Sequence, residues 1–232
     1  MNTHLSGTVD PGAPGGARPA AASVRAVRVI AVTDRRRMVA PEVLAAGDWL
    51  AIAAAFGAAV QGALAGCPAG SVVVQVREKD LDGRPLLALV RAAQPFAPVL
   101  VNDRLDVALT TGAWGCHLPE RGLPLDDARA LAPSLVLGVS RHAPGTVAAD
   151  LVQLGPIWPT PSKPGAPTLG EAALAAPHGD AALVAVGGID SEDRAAAAAT
   201  AGADAVAVIR AAWAGGSLAP LVAAVTAGRA RR

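Results

Sequence analysis

The chain has 232 residues, of which 52% are hydrophobic and 3% aromatic, and its formal net charge is +1. So small a net charge argues against a nucleic-acid-binding surface, which is usually rich in basic residues. The chain has two cysteines, Cys67 and Cys116, which are too few for a disulfide framework or a zinc site. Length and composition are typical of one domain with a full hydrophobic core, and we expect a reduced, cytoplasmic protein.

The first 25 residues are rich in Gly, Pro and Ala and lack the apolar segment of a secretory signal. We therefore expect a disordered tail over residues 1–25 and a folded domain over 26–232. The longest mainly apolar segment, AAAAATAGADAVAVI, is interrupted by Gly202 and Asp204. It is also shorter than the roughly 20 apolar residues of a membrane-spanning helix. The sequence predicts no membrane partner.

After the tail, short runs rich in β-branched residues alternate with longer runs rich in Ala and Leu. The predicted strands cover residues 27–33, 71–76, 98–102, 114–118, 135–140, 150–156, 182–188 and 204–209. The predicted helices are DWLAIAAAFGAAVQGALAG, RPLLALVRAAQ, RLDVALTTG, PLDDARALA, SEDRAAAAATAG and LAPLVAAVTAGRAR. Several of them have Asp, Ser or Pro at the start and Gly at the end.

Eight strands that are mostly followed by a helix, within about 200 residues, predict a single α/β domain with the (β/α)8 TIM-barrel fold. A doubly wound sheet is the main rival, but it normally needs a glycine-rich turn after its first strand, and VTDRRRMV is not one. The barrel interpretation places any active site at the carboxyl ends of the strands.

Polar residues gather at these strand ends, and each one also has a structural explanation. Arg77 and Lys79 could belong to a solvated strand end paired with Glu78, and Asn102 and Asp103 could cap the next helix. Several others have equally plain explanations: His117 as an interior histidine, His142 as an exposed loop residue, Gly187 and Gly188 as turn residues, and Arg35, Arg36 and Arg37 as a solvated loop. Their recurrence at six strand ends favours a shared ligand site.

The motifs VTD, QVREKD, VNDRLDVAL, GCHLP, LGVSRH, LGPIWPTPSKPG, VAVGGI and AGADAVAVI resemble, in order and spacing, those of the thiamine phosphate synthase superfamily, which also contains the thiazole tautomerases. The resemblance extends from about Val27 to Trp213. It implies a transferase that joins a pyrimidine pyrophosphate to a thiazole phosphate and releases pyrophosphate, so the expected partners are small phosphorylated substrates. A homo-oligomer is left open.

The resemblance also implies roles for individual residues. Gln75 would contact the aminopyrimidine, and Arg77 and Lys79 would hold pyrophosphate. The other implied roles are pyrophosphate contacts for Asn102 and Ser140, Mg²⁺ binding for Asp103, a covering loop for Thr160, Ser162 and Lys163, and thiazole phosphate binding for Gly188 and Ile209.

One departure from the family pattern concerns the metal. The stretch HLPERGLP has Gly122 where synthases of the family carry a second Mg²⁺-binding aspartate. Asp103 could hold Mg²⁺ with phosphates and waters completing the shell, or with help from Glu120. The alternatives are a metal-independent tautomerase with His142 as acid and base, and a non-catalytic phosphate-binding barrel. We expect the synthase, because several residues suited to a second anion site are present together.

Overall fold

A computed structural model of the chain describes residues 21–162 and 164–232, with side chains from residue 23 onwards. Eight parallel strands each pair with the next along the chain, and the last pairs with the first, so the sheet closes into a barrel. The strands are β1 (Val29–Val32), β2 (Val72–Val76), β3 (Val99–Asn102), β4 (Gly115–Leu118), β5 (Val136–Arg141), β6 (Leu151–Leu154), β7 (Ala182–Val186) and β8 (Ala205–Val208). The predicted (β/α)8 barrel is confirmed.

Helices surround the barrel, and two of them begin directly after a residue whose side chain caps the helix. Asp48 accepts hydrogen bonds from the first backbone N–H groups of one helix, and Ser191 does the same for another. The helices are α1 (Ala21–Ala26), α2 (Arg35–Met38), α3 (Pro41–Ala46), α4 (Trp49–Ala63), α5 (Gly83–Ala93), α6 (Leu105–Thr111), α7 (Leu125–Leu131), α8 (Glu192–Thr200) and α9 (Ala219–Arg229). Within the described residues, all helices are too short or too polar to cross a bilayer.

Side chains alternate between the two faces of each strand, so the hydrophobic core has two parts. Every second residue of each strand faces the barrel interior, where Ile30, Leu100 and Val184 are buried together. The next residue faces outward against the helices, where Phe56 and Leu89 are fully buried. Because both faces of every strand are covered, the strands read as nearly continuous apolar runs, and a polar residue within them is an exception that needs a partner.

The structure corrects the predicted secondary structure at three places. The tail predicted over residues 1–25 is wrong at its end, because Ala21–Ala26 is helical and Val24 is buried in the barrel-interior core; residues 1–20 lie outside the described residues. The arginine run is a helical turn capped by Asp34 rather than a loop. After β6, where no helix is predicted, the chain forms a 3-10 helix, Glu171–Ala175.

The end of the barrel opposite the carboxyl ends of the strands is tied together by a buried aspartate. Asp204, which precedes β8, accepts a hydrogen bond from the backbone N–H of Leu183. Its carboxylate lies 3.8 Å from the guanidinium of Arg25, 3.5 Å from that of Arg229 and 2.7 Å from that of Arg232. Segments from both ends of the described chain therefore meet beside the contact between β8 and β1.

Two glycines of α4 predict opposite effects of the same substitution. At Gly57 a Cβ would lie 2.9 Å from the Ala92 carbonyl oxygen of α5, whereas at Gly62 nothing lies within 4 Å. Gly62→Ala should raise the free energy of unfolding by up to about 1 kcal/mol, and Gly57→Ala should lower it by about 1–3 kcal/mol through overpacking. Urea denaturation of both variants checks this, and a Gly57→Ala protein as stable as wild type would contradict the packing of α4 on α5.

Candidate active site

The mouth of the barrel, formed by the carboxyl ends of the strands, has a polar half. Five successive strands, from β2 to β6, each contribute one polar side chain here, and we call this set the polar layer: Gln75, Asn102, His117, Ser140 and Gln153. The neighbouring strands β7, β8 and β1 bring Val186, Ile209 and Val32 to the barrel-interior core. The mouth therefore suits a ligand with both polar and apolar parts.

Three carboxamides of the polar layer form a hydrogen-bonded chain across the barrel. Gln153 Nε2 donates to Gln75 Oε1 at 2.6 Å, and Gln75 Nε2 donates to Asn102 Oδ1 at 3.2 Å. Because β6 and β2 lie on opposite sides of the barrel, the first of these bonds spans its interior. Gln75 is 2% exposed, and bonds at both ends of its carboxamide fix its orientation. The chain forms a polar floor beneath the mouth.

His117 and Ser140 form the rest of the polar layer. His117 Nε2 lies 2.8 Å from Ser140 Oγ, and the imidazole is buried next to Gly138, where a Cβ would lie 3.0 Å from Nδ1. Burial, with the positive charge of Arg77 as a second cause, lowers the pKa of His117 from 6.5 to about 3. The ring is therefore neutral at physiological pH.

The charged segment after β2 is organised by the arginine run of α2. Glu78, which is buried, accepts hydrogen bonds from the Thr33 hydroxyl at 2.8 Å and from the Arg35 guanidinium at 2.9 Å. The same guanidinium binds Asp80 through two bonds of 2.6 and 2.7 Å, and Arg36 adds a third of 2.7 Å. The hydrogen bonds from Arg35 hold the pKa of Asp80 well below its usual range. The two carboxylates of the segment are thus neutralised by α2.

The two cations of the same segment are not paired with its carboxylates. Arg77 and Lys79 alternate with Glu78 and Asp80 along the chain, and neither cation has an ion-pair partner within residues 23–162 and 164–232. Arg77 is close enough to His117 for its charge to lower the pKa of the imidazole, which places it beside the polar layer. Two cations without an ion-pair partner at this end of the barrel favour the binding of an anion.

Asp103 follows β3 in an unusual backbone conformation. Its φ is 66°, the left-handed region that Asp enters more readily than most residues, and its N–H donates to the His117 carbonyl at 2.8 Å. A Cβ at Gly122 would lie 2.8 Å from Asp103 Oδ1 and 2.9 Å from Pro119. The carboxylate therefore occupies the space in which a side chain at position 122 would begin.

Glu120 and His142 lie together at the rim. His142 Nε2 is 3.7 Å from Glu120 Oε2, and His142 Nδ1 is 2.5 Å from the Gly155 carbonyl. An imidazole N–H must donate to that carbonyl, so Nδ1 carries a proton and Nε2 faces the carboxylate. In the part of the chain that the structure describes, no three His, Cys, Asp or Glu side chains are grouped as metal ligands.

The remaining predicted site residues follow β6, β7 and β8. Gly188 has a φ of 74°, and a Cβ there would lie 2.6 Å from that of Trp158, so only glycine fits. Its carbonyl accepts a bond of 2.6 Å from Arg194. Ile209 directly follows β8. In the loop after β6, Ser162 N lies 3.4 Å from Thr160 Oγ1, and Lys163 lies outside the described residues.

The sequence interpretation missed Gln153, the positioning role of Arg35 and the pairing of His117 with Ser140. A signal for Gln153 was present, because it is the one polar residue within β6 and has the inward phase of Leu151. The bonds of Arg35 to Glu78 join residues 43 positions apart, and no local pattern reports such a pairing.

Comparison with known proteins finds relatives that share one description. The sequence profile described as "Thiamine monophosphate synthase" matches residues 43–212. A Geobacter sulfurreducens relative is 48% identical over 118 residues, which cover 46% of this chain and 54% of that protein. The thiamine-phosphate synthase of Mycobacterium tuberculosis is 40% identical over 176 residues, which cover 65% of this chain and 78% of that protein. The chain thus matches about half the length of the first relative and more of the second.

Among solved structures, the chain resembles the thiamine phosphate pyrophosphorylase from Pyrococcus furiosus. The TM-score is 0.60 with 24% sequence identity, and the alignment covers 90% of this chain and 96% of that one. At this identity the likeness supports the barrel fold.

The buried imidazole predicts how stability depends on pH. Because the pKa of His117 falls from 6.5 to about 3 on folding, the unfolded chain takes up a proton in this range that the folded chain does not. The stabilising effect is complete above 6.5 and is lost as the pH falls toward 3, at up to about 1.4 kcal/mol per pH unit. The free energy of unfolding, measured by urea denaturation, should therefore rise less steeply with pH in His117→Gln than in wild type. Equal slopes in wild type and His117→Gln would contradict the burial.

Proposed function

The chain belongs to the thiamine monophosphate synthase family, and on this premise we propose that it joins hydroxymethylpyrimidine pyrophosphate to thiazole phosphate, releasing pyrophosphate and forming thiamine phosphate. The protein is then a transferase of thiamine biosynthesis acting on small phosphorylated substrates. The observation that carries the proposal is the pair of unneutralised cations that follows β2, of which Arg77 lies beside the polar layer. We also propose a cytoplasmic location, consistent with the free thiols of Cys67 and Cys116.

The pyrophosphate of the first substrate binds at Arg77 and Lys79 in this proposal. Breaking the bond to the pyrimidine leaves its electron pair on the pyrophosphate, so negative charge grows on the leaving group. Fixed cations at that position stabilise the transition state more than the ground state. Arg35 keeps Glu78 and Asp80 from competing for the two cations, and Asn102 and Ser140 add neutral donors to the same anion.

The aminopyrimidine ring rests on the carboxamide floor. Gln75 is the contact residue, and the bonds from Gln153 and to Asn102 hold its carboxamide in one orientation. A fixed donor and acceptor pattern recognises the ring nitrogen and exocyclic amine of an aminopyrimidine, because a mismatched ring leaves buried polar groups unpaired.

The residues present fit a Mg²⁺ ion carried largely by the substrate. Mg²⁺ commonly takes one or two protein carboxylates, and phosphate oxygens and waters complete its shell. Asp103 supplies one carboxylate at the mouth, whereas Glu120 lies against His142, so we assign the metal to Asp103 alone. Bound there, Mg²⁺ supplies neutralisation of the charge on the leaving pyrophosphate.

The thiazole phosphate binds on the other side of the mouth. Gly188 and Ile209, at the ends of β7 and β8, offer backbone groups to its phosphate, and the apolar half of the mouth accepts the thiazole ring. Thr160, Ser162 and Lys163 belong to the loop that covers both substrates and excludes water from the reacting carbon. His142 lies at the rim and has a minor effect on coupling.

The test of the function is thiamine phosphate formation by the purified chain with both substrates and Mg²⁺. Asp103→Asn should lower the rate at least about 10²-fold and leave binding of the thiazole phosphate unchanged, while Asp126→Asn, an exposed carboxylate on α7, should behave like wild type. His142→Ala should lower the rate only modestly. Full coupling in excess chelator, or isomerisation of a carboxythiazole phosphate that depends on His142 and needs no metal, would refute the proposal.

The anion site makes a separate prediction about binding. Arg77→Ala should weaken the affinity for inorganic pyrophosphate by about 10- to 100-fold, the range for losing a charged hydrogen bond. Arg84→Ala removes an exposed arginine from α5 and serves as the matched control, with unchanged affinity expected. Isothermal titration calorimetry measures both variants, and equal affinities for the two would place pyrophosphate elsewhere.

A further inference from the structure

The imidazole of His117 uses only one of its two nitrogens. Nε2 is 2.8 Å from Ser140 Oγ, but Nδ1 is buried and has no hydrogen-bond partner among the residues described. The ring faces Gly138, where even a methyl group would lie 3.0 Å from Nδ1. The orphaned nitrogen is therefore a fixed feature of the barrel interior.

A neutral imidazole has one N–H donor and one acceptor, so the orphaned nitrogen decides the tautomer. If Nδ1 carried the proton, a buried N–H would have no acceptor, and orphaned donors of this kind are rarer in folded proteins than under-used acceptors. If Nε2 carries the proton, Nδ1 retains only a lone pair and the N–H is satisfied by Ser140. The neighbouring charge of Arg77 also disfavours a second proton on the ring.

We infer that His117 donates from Nε2 to Ser140 Oγ, which makes the Ser140 hydroxyl a donor directed at the anion in the mouth. The inference rests on the proposed function and adds His117 as a positioning residue. In the opposite tautomer the Ser140 hydroxyl would donate its hydrogen bond to His117 Nε2, and only the oxygen lone pairs of Ser140 would face pyrophosphate. Lone pairs repel an anion, whereas an O–H stabilises it, so the tautomer determines the sign of the contact.

The tautomer can be observed directly in the wild-type chain. Long-range ¹⁵N–¹H correlation spectra distinguish a protonated Nε2 from a protonated Nδ1, and the chain has four histidines, so His117→Gln suffices to assign the signals. We expect the Nε2–H form at neutral pH. The Nδ1–H form would overturn the inference whether or not the protein is a synthase.

Two variants separate hydrogen bonding from packing. The amide nitrogen of Gln is as many bonds from Cβ as His Nε2, whereas that of Asn matches Nδ1. His117→Gln should therefore keep the donor to Ser140 and retain pyrophosphate affinity and coupling rate within about tenfold. His117→Asn should lose about 10²-fold in kcat, as should Ser140→Ala, with an unchanged KM for thiazole phosphate.

The outcomes distinguish this inference from the proposed function. A wild-type chain without coupling activity refutes the function, while the spectra and pyrophosphate titrations still decide the role of His117. An active wild type with equal losses in His117→Gln and His117→Asn refutes the positioning role alone. If His117→Asn fails to fold, as judged by circular dichroism, the tautomer of the wild type and the His117→Gln titration remain decisive.

Discussion

The alternation of side chains along parallel strands is the constraint on which the other features depend. A closed barrel has one interior, and every second residue of each strand must enter it. Over most of its depth the interior is filled by apolar residues such as Ile30 and Leu100. At the carboxyl ends the same alternation brings Gln75, His117 and Gln153 inward, and burial there obliges each to find a partner. The polar layer is therefore a direct result of the strand pattern.

Electrostatics at the mouth depends on which charges are already paired. The segment after β2 carries equal numbers of cations and anions, and it would be neutral if they paired with each other. Arg35 removes Glu78 and Asp80 from this balance, since it binds both carboxylates. The two cations of the segment then make this region positive, although the net charge of the whole chain is only +1. Local ion pairing, and not the net charge, decides the charge at the mouth.

The sequence allowed the fold to be predicted because the barrel repeats one short pattern eight times. Each predicted strand overlaps an observed one, and errors concentrate at the ends, as after β7, where Gly187 and Gly188 leave the strand with positive φ. For the site, position in the chain predicted that Asn102 and Ser140 stand at strand ends, and the structure places both in the polar layer. It was not predictable where the role depends on a distant partner, because Gln153 and Gln75 are 78 positions apart and only the closed barrel brings them together.

The seam between β1 and β8 has a kinetic consequence. Val29 pairs with Val206, so the last contact of the sheet joins residues from nearly opposite ends of the described chain, and such non-local pairing slows folding through the entropy of loop closure. Until it forms, β1 and β8 are open edges able to pair with other chains. Asp204 with Arg25, Arg229 and Arg232 lies beside this seam, so these ion pairs favour the closed sheet over an open sheet with two free edges.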